Sequence, residues 1–249
     1  MSLITTLIGF VWSAFCCVFA LCVILINKNA AKWVLIKIGK RMWSKNMVRI
    51  VSGSAPKVTF HGTEKPYADW PDQAIFIANH SSLLDINASA SAIPQPIVYL
   101  SKDSIRRVPV LGLLNERVGT VFIDRSNPAA AKQSVVQLRK TLQNGISVIV
   151  YPEGTRTKDG RLQPFKKGAF HLAANAQVPI IPLHIHGTRH ALPSGRIRIK
   201  RNPIHVRFGR PLLPPPVSNT KALNEFVQQG FDSVQEMKEW HTSHLKTPD

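Results

Sequence analysis

The sequence predicts an α/β fold, a mostly parallel sheet flanked by helices, preceded by an N-terminal hydrophobic helical segment that anchors the chain to a membrane. Three observations predict it. Residues 3–26 are apolar and uncharged; from residue 52 onward short Val- and Ile-rich runs alternate with helical stretches and turn residues; and the residues best suited to chemistry follow directly on strand candidates.

The first run, residues 3–26, is long enough at helical rise to cross a hydrocarbon core. The opening residues lack the basic start of a cleaved signal peptide and the run exceeds the usual signal length, so a retained membrane element is expected. Lys28, Lys32, Lys37, Lys40, Arg41, Lys45 and Arg49 follow it, a basic excess that holds this flank, and with it the main domain, on the cytoplasmic face. These charges alternate with Trp33, Val34, Leu35, Ile36, Ile38 and Met42, so residues 30–51 suit an interfacial helix among anionic headgroups. A shallow two-helix anchor is therefore an alternative to a full span. Residues 1–51 are expected to form the anchor and residues 52–249 one globular domain, which suits a chain of 249 residues that is 44% hydrophobic.

Across the chain, 32 Lys and Arg stand against 14 Asp and Glu, a formal charge of +18. Anionic partners follow: a membrane surface, phosphorylated substrates or nucleic acid. Cys16, Cys17 and Cys22 all lie in the apolar run, which leaves the main domain without a cysteine nucleophile, zinc knuckle or disulfide.

Strands are expected at residues 57–61, 74–78, 97–101, 120–123, 146–151, 180–186, 196–199 and 204–208, brief and rich in Val and Ile as buried strands are. A helix starts after Asn127 as N-cap, with Pro128 in its first turn, and stops near Gly145. Further helices are expected at 167–175 and, after the stiff proline-rich linker 211–216, at 221–244.

The segment Asn79-His80-Ser81-Ser82-Leu83-Leu84-Asp85 follows the second strand candidate. Five steps along an ideal helix leave His80 and Asp85 roughly 140° apart, so they meet only if His80 lies in the turn after the strand and Asp85 in the first turn of a helix. An Asp accepting from one imidazole nitrogen fixes the tautomer and frees the other nitrogen to take a proton from a hydroxyl. A hydrogen-bonded structural histidine is the plainer alternative. Ser81 and Ser82 lack a nucleophile-elbow context and suit helix capping as well. Tyr151-Pro152-Glu153-Gly154-Thr155-Arg156 follows another strand candidate; proline and glycine force a turn whose amides form an anion nest, and Arg156 offers a bidentate donor to phosphate. Arg125 after Phe122-Ile123-Asp124, and Lys102 after Ser101, end two further strands with cations. The run Val178-Pro179-Ile180-Ile181-Pro182-Leu183 reads as a buried strand suited to packing and acyl-chain lining.

These blocks, in this order over residues 59–183, resemble the 1-acyl-sn-glycerol-3-phosphate acyltransferase family and related glycerolipid acyltransferases: Asn-His-x4-Asp, Phe-Ile-Asp-Arg, Pro-Glu-Gly-Thr-Arg and Val-Pro-Ile-Ile-Pro. Tyr151 stands where that family usually has phenylalanine, and Thr157 where it often has serine. The resemblance implies an acyltransferase domain at 52–249 that moves a fatty acyl group from a thioester, acyl-coenzyme A or acyl carrier protein, to the sn-2 hydroxyl of 1-acyl-glycerol-3-phosphate, giving phosphatidic acid. It implies His80 as general base, Asp85 as its orienter, and Glu153, Gly154, Thr155 and Arg156 around the acceptor phosphate, assisted by Arg125 and Lys102. No cofactor or metal is implied beyond the thioester co-substrate; the partners are membrane lipids, a lysophospholipid acceptor and the acyl donor.

Three alternatives remain open on the residues. The acceptor can be another lysophospholipid, a lyso-ornithine lipid or glycerol 3-phosphate. The basic run Arg196 to Arg201, with Arg196, Arg198 and Lys200 on one strand face, suits a non-enzymatic binder of anionic lipid. A nucleic-acid partner is not expected, since that run has little aromatic interleaving and no recognised nucleic-acid motif. Lastly, His184, His186 and His190 raise a metal site, although no cysteine or acidic ligand stands near them.

Overall fold

The structure, a computed structural model, describes residues 2–63, 66–108, 110–123 and 128–245. Helix α1 (Ser2–Ile26) is long and apolar enough to cross a membrane by length and composition. It does not stand clear of the rest. α2 (Lys28–Val34), a π-helical turn (Leu35–Gly39) and α3 (Lys40–Ser52) fold back along it, and two tryptophans interlock the pair: Trp12 Nε1 donates to the Trp43 carbonyl at 3.2 Å and Trp43 Nε1 to Ser13 Oγ at 3.1 Å. Ala20 and Ile24 pack with Ala31 and Leu35, whereas Leu3, Ile4, Leu7, Phe10, Val11, Phe15 and Val18 stay exposed. One face of α1 is thus satisfied by protein and the other is bare hydrocarbon.

α3 reaches further inward, where Met47, Val48 and Val51 join the core above the sheet. The strands are β1 (Lys57–Phe60), β2 (Ile75–Ala78), β3 (Ile97–Lys102), β4 (Val121–Ile123), β5 (Ser147–Val150), β6 (Ile180–His186) and β7 (His205–Phe208), in the spatial order β1-β7-β6-β2-β5-β3-β4. The run from β6 to β4 is parallel; β7 pairs antiparallel with β6, and β1 parallel with β7.

Alternation divides the core between the two faces. Phe76, Ala78, Ile149, Ile181 and Leu183 face α3 and α4 (Leu84–Ala92), while Ile75, Ile77, Val148, Val150 and Ile180 face α6 (Pro128–Gln143), α7 (Gly168–Ala176) and α9 (Thr220–His244). Burial on both faces explains why these strands read as unbroken apolar runs. α9 begins where Asn219 Oδ1 accepts from the Ala222 amide at 2.9 Å, an N-cap that satisfies one of the free donors of the first turn. A 3₁₀ turn (Asp103–Arg107), α5 (Leu111–Arg117) and α8 (Thr188–Ala191) complete the chain.

The strand expected at 196–199 does not form. Its amides bond outside any ladder: Ile199 N donates to Thr6 Oγ1 at 2.8 Å and Lys200 N to the Ala191 carbonyl at 2.8 Å. Ile199 is drawn against Gly9 of α1, so the segment is used to dock that helix, and Arg196, Arg198 and Lys200 are left exposed beside its start. The N-cap expected at Asn127 lies outside the described residues.

Candidate active site

The C-terminal ends of β2, β5, β3 and β6 converge on one edge of the sheet, the place where open parallel sheets leave a crevice. The β2 chain leaves as Asn79, whose side chain extends the ladder by one rung: its Oδ1 accepts from Ile185 N at 2.7 Å and its Nδ2 donates to the Ile185 carbonyl at 3.0 Å. His80 therefore starts its turn from a fixed point.

α4 begins at Leu84, which puts Asp85 in its first turn, as the His80 to Asp85 spacing requires. Asp85 is fully buried. Its Oδ2 accepts from the amides of Ser81 (2.7 Å) and Ser82 (2.8 Å) and from His80 Nδ1 (2.9 Å), and its Oδ1 from Thr188 Oγ1 (2.5 Å). A carboxylate accepts only, so the proton of the His80–Asp85 bond belongs to Nδ1 and the lone pair to Nε2. The imidazole keeps 16% exposure, and Nε2 is bonded to no described residue. Its ring stacks on Tyr151 with centroids 4.1 Å apart and planes 16° apart. The Tyr151 hydroxyl reaches Ser89 Oγ of α4 at 3.2 Å, and Tyr99 shares Ser89 at 3.1 Å. The histidine, its platform and its carboxylate are thereby tied to one helix.

The serines have other work. Ser82 Oγ donates to the Leu192 carbonyl at 2.7 Å and accepts from Leu84 N at 3.1 Å, inside the protein, which excludes it as a nucleophile. Glu153, expected at the phosphate, turns inward: Oε1 accepts from His80 N at 2.6 Å and Oε2 from Gln163 N at 2.9 Å. Burial pushes its carboxyl up to about 7, against the two amide donors and Lys238, which pull it down. Glu153 joins the turn after β5 to the turn after β2, and Thr157 N donating to the His80 carbonyl at 2.9 Å closes the same junction. Gly154 adopts φ +80° and donates to the Tyr151 carbonyl at 3.0 Å, completing the turn that leaves Thr155 exposed. Arg156 is half-buried and makes no hydrogen bond or ion pair with another described residue, so its guanidinium is free to take an anion. Lys102 closes β3; its side chain and all of Arg125 lie outside the described residues.

Four contributors escape sequence reasoning: Asn79, Tyr151, Thr188 and Lys238. Two of them carried a signal, Asn79 as the first residue of the Asn-His-x4-Asp block and Tyr151 as the departure from phenylalanine. The histidines raised as a metal site form a packed cluster with His205 and His241, in which His184 Nδ1 and His241 Nδ1 share a proton across 2.7 Å. Among the described residues no group of three or more His, Cys, Asp or Glu side chains is placed to hold a metal ion.

A family model described as Acyltransferase matches residues 57–186, just over half of the chain, including the turns after β2 and β5. The chain belongs to the acyltransferase family. Among curated relatives, this acyltransferase is 38% identical over 157 residues to the 1-acyl-sn-glycerol-3-phosphate acyltransferase of Cocos nucifera, covering 63% of this chain and 51% of that one. It is 41% identical over 144 residues to the enzyme of the same name from Limnanthes douglasii (57% and 50% covered), and 37% over 125 residues to that of Salmonella typhimurium (50% and 51%). The chain thus spans about half the length of the curated relatives it matches. The crystal structure of the 1-acyl-sn-glycerophosphate (LPA) acyltransferase PlsC from Thermotoga maritima has the same fold, with a TM-score of 0.74, 24% identity and coverage of 100% of this chain and 98% of that one.

Proposed function

We propose that this acyltransferase transfers a fatty acyl group from an acyl thioester, acyl-coenzyme A or acyl carrier protein, to the sn-2 hydroxyl of 1-acyl-glycerol-3-phosphate, yielding phosphatidic acid. The observation that carries the reading is the His80 Nδ1 to Asp85 Oδ2 hydrogen bond of 2.9 Å, which leaves Nε2 as an unpaired base at the mouth of the sheet edge. The relatives' names supply the acceptor.

Nε2 takes the proton of the acceptor hydroxyl as its oxygen attacks the thioester carbonyl. The tetrahedral intermediate collapses by breaking the C–S bond, and the imidazolium returns the proton to the departing thiolate. Asp85 holds the ring in the required tautomer and offsets the positive charge that develops on it. No acyl-enzyme forms. Arg156, with Arg125 and Lys102, grips the acceptor phosphate; Gly154 and Thr155 shape the turn, and Glu153 positions it. Holding both reactants converts an encounter into an intramolecular step.

Both substrates are amphiphiles, and the bare face of α1 provides the attachment to the bilayer that holds them. Both ends of α1 are tied to the domain, at Ser2 and Thr6 by Arg198 and Ile199 and at Ala20 and Ile24 by α2, which favours a helix lying in one leaflet over a span. The basic residues of α2 and α3 favour the cytoplasmic leaflet. The test is turnover of the purified protein in detergent with lysophosphatidic acid, other lysolipids and glycerol 3-phosphate, for wild type and His80→Ala. Turnover with lysophosphatidic acid that falls by about 10²-fold or more in the variant is expected. Equal rates in both proteins would overturn the assignment.

A further inference from the structure

The proposed reaction brings two phosphorylated reactants to His80, which follows the central strand β2. Arg156, proposed for the acceptor phosphate, lies in the turn after β5 that the Thr157 amide joins to the His80 carbonyl. Toward β6 a separate cleft of about 420 Å³ begins at Asn79 and Ser81 and runs over the end of β6 to α8 and α9. A narrower recess lined by His80, Glu153, Arg161 and Lys238 joins it to the catalytic turn.

Three cations line this cleft, and none has a strong partner. Lys238 of α9 is half-buried and makes no hydrogen bond or ion pair from its ammonium to a described residue. Arg161 meets only Asp159, at 3.6 Å, with 83% of its side chain exposed, a pairing that contributes little. Arg189 of α8 lies against Gly160, where an added Cβ would come within 2.8 Å of its Nε, and it donates only to the Lys158 carbonyl at 3.2 Å. Asp159 is the one acidic side chain among the cleft's lining residues. The α8 wall is bound to the catalytic centre itself, because Thr188, next to Arg189, hydrogen-bonds Asp85.

We infer that this cleft is the binding site for the phosphates of the acyl donor's carrier, coenzyme A, with Lys238, Arg161 and Arg189 as its cationic contacts. The inference rests on the acyl-transfer reading of His80. The acceptor phosphate is assigned to Arg156, which does not line this cleft, so the cleft's own cations are left for the donor. Three convergent cations match a carrier with a pyrophosphate and a further phosphomonoester better than one with a single phosphodiester.

The test is a double variant, Arg161→Gln with Arg189→Gln, whose side chains line the cleft. With acyl-coenzyme A, the donor KM is expected to rise about tenfold or more, with the lysophosphatidic acid KM unchanged. With acyl-pantetheine, which has the thioester but no phosphate, wild type and variant are expected to share one KM. Calorimetry of free coenzyme A should show wild-type binding that weakens with salt and a matching loss in the variant. An equal penalty with both donors, a rise in acceptor KM instead, or wild-type protein that does not bind coenzyme A would overturn the site. Failure of acyl transfer to every acceptor would sink the reaction while leaving the coenzyme A titration to decide the cleft.

Discussion

Asp85 is the residue on which the site turns, and its four donors set what a substitution does. In Asp85→Asn, an amide oxygen facing Ser81, Ser82 and His80 keeps three of the bonds, and the amide nitrogen then meets Thr188, whose hydroxyl can turn to accept. Structure and tautomer survive, while the negative charge that offsets the imidazolium is lost. Turnover should drop by about 10²-fold or more with KM for the acceptor little changed and the circular dichroism spectrum intact. A rise in KM at constant turnover would instead make Asp85 a residue of substrate binding. The His80 and Asp85 pairing was legible because both ends lie within five residues and one turn separates them. Thr188, separated from Asp85 by 103 residues, was not, since no local pattern announces a partner delivered by the fold. Glu153 was legible as important and misread in orientation: the motif shows a carboxylate beside an arginine, and only the backbone reveals that the carboxylate is consumed by two amides.

Among the elements, the parallel strands could be read directly, because burial on both faces makes them continuous Val and Ile runs. Helix α4 could not be read by periodicity. Its sequence Leu-Asp-Ile-Asn-Ala-Ser-Ala-Ser-Ala has no apolar stripe, since small side chains let α3 pack closely over it. The segment 196–199 misled for the opposite reason: its period-2 alternation is that of a strand, yet its one buried residue, Ile199, is set by α1. The turn from β6 into α8 gives this scale its prediction. Gly187 adopts φ +91°, and a Cβ there would sit 1.9 Å from the Pro203 carbonyl oxygen. Gly187→Ala must displace backbone, costing about 2 kcal/mol or more, and the displaced element carries Thr188 away from Asp85. We expect a lower melting temperature together with reduced turnover. An unchanged melting temperature would show that the β6 to α8 turn has slack.

For the molecule as a whole, the acid limb of stability belongs to the histidines that join β6, β7, α8 and α9. Burial, reinforced by the neighbouring rings, holds His184 well below the ordinary range, His186 down to about 4 and His241 down to about 3; His190 and His205 are lowered as well. A base with a depressed folded pKa stabilises the fold where it is neutral in both states, above the unfolded value near 6.5, and that contribution is lost as pH falls toward the folded values. Glu153 acts in the reverse sense: its carboxyl is raised from 4.5 to about 7, so its contribution is complete below 4.5 and is lost as pH rises to about 7. Between pH 7 and 4.5 the two oppose one another, five groups against one, and the histidines prevail because they pack ring on ring under α9. The melting temperature of the protein in detergent should therefore fall steadily from pH 7.5 to pH 5, with the α9 docking surface lost first. Glu153→Gln removes the opposing contribution and should steepen that fall. A melting temperature that rises on acidification would show that the cluster is charged, or solvated, in the folded state.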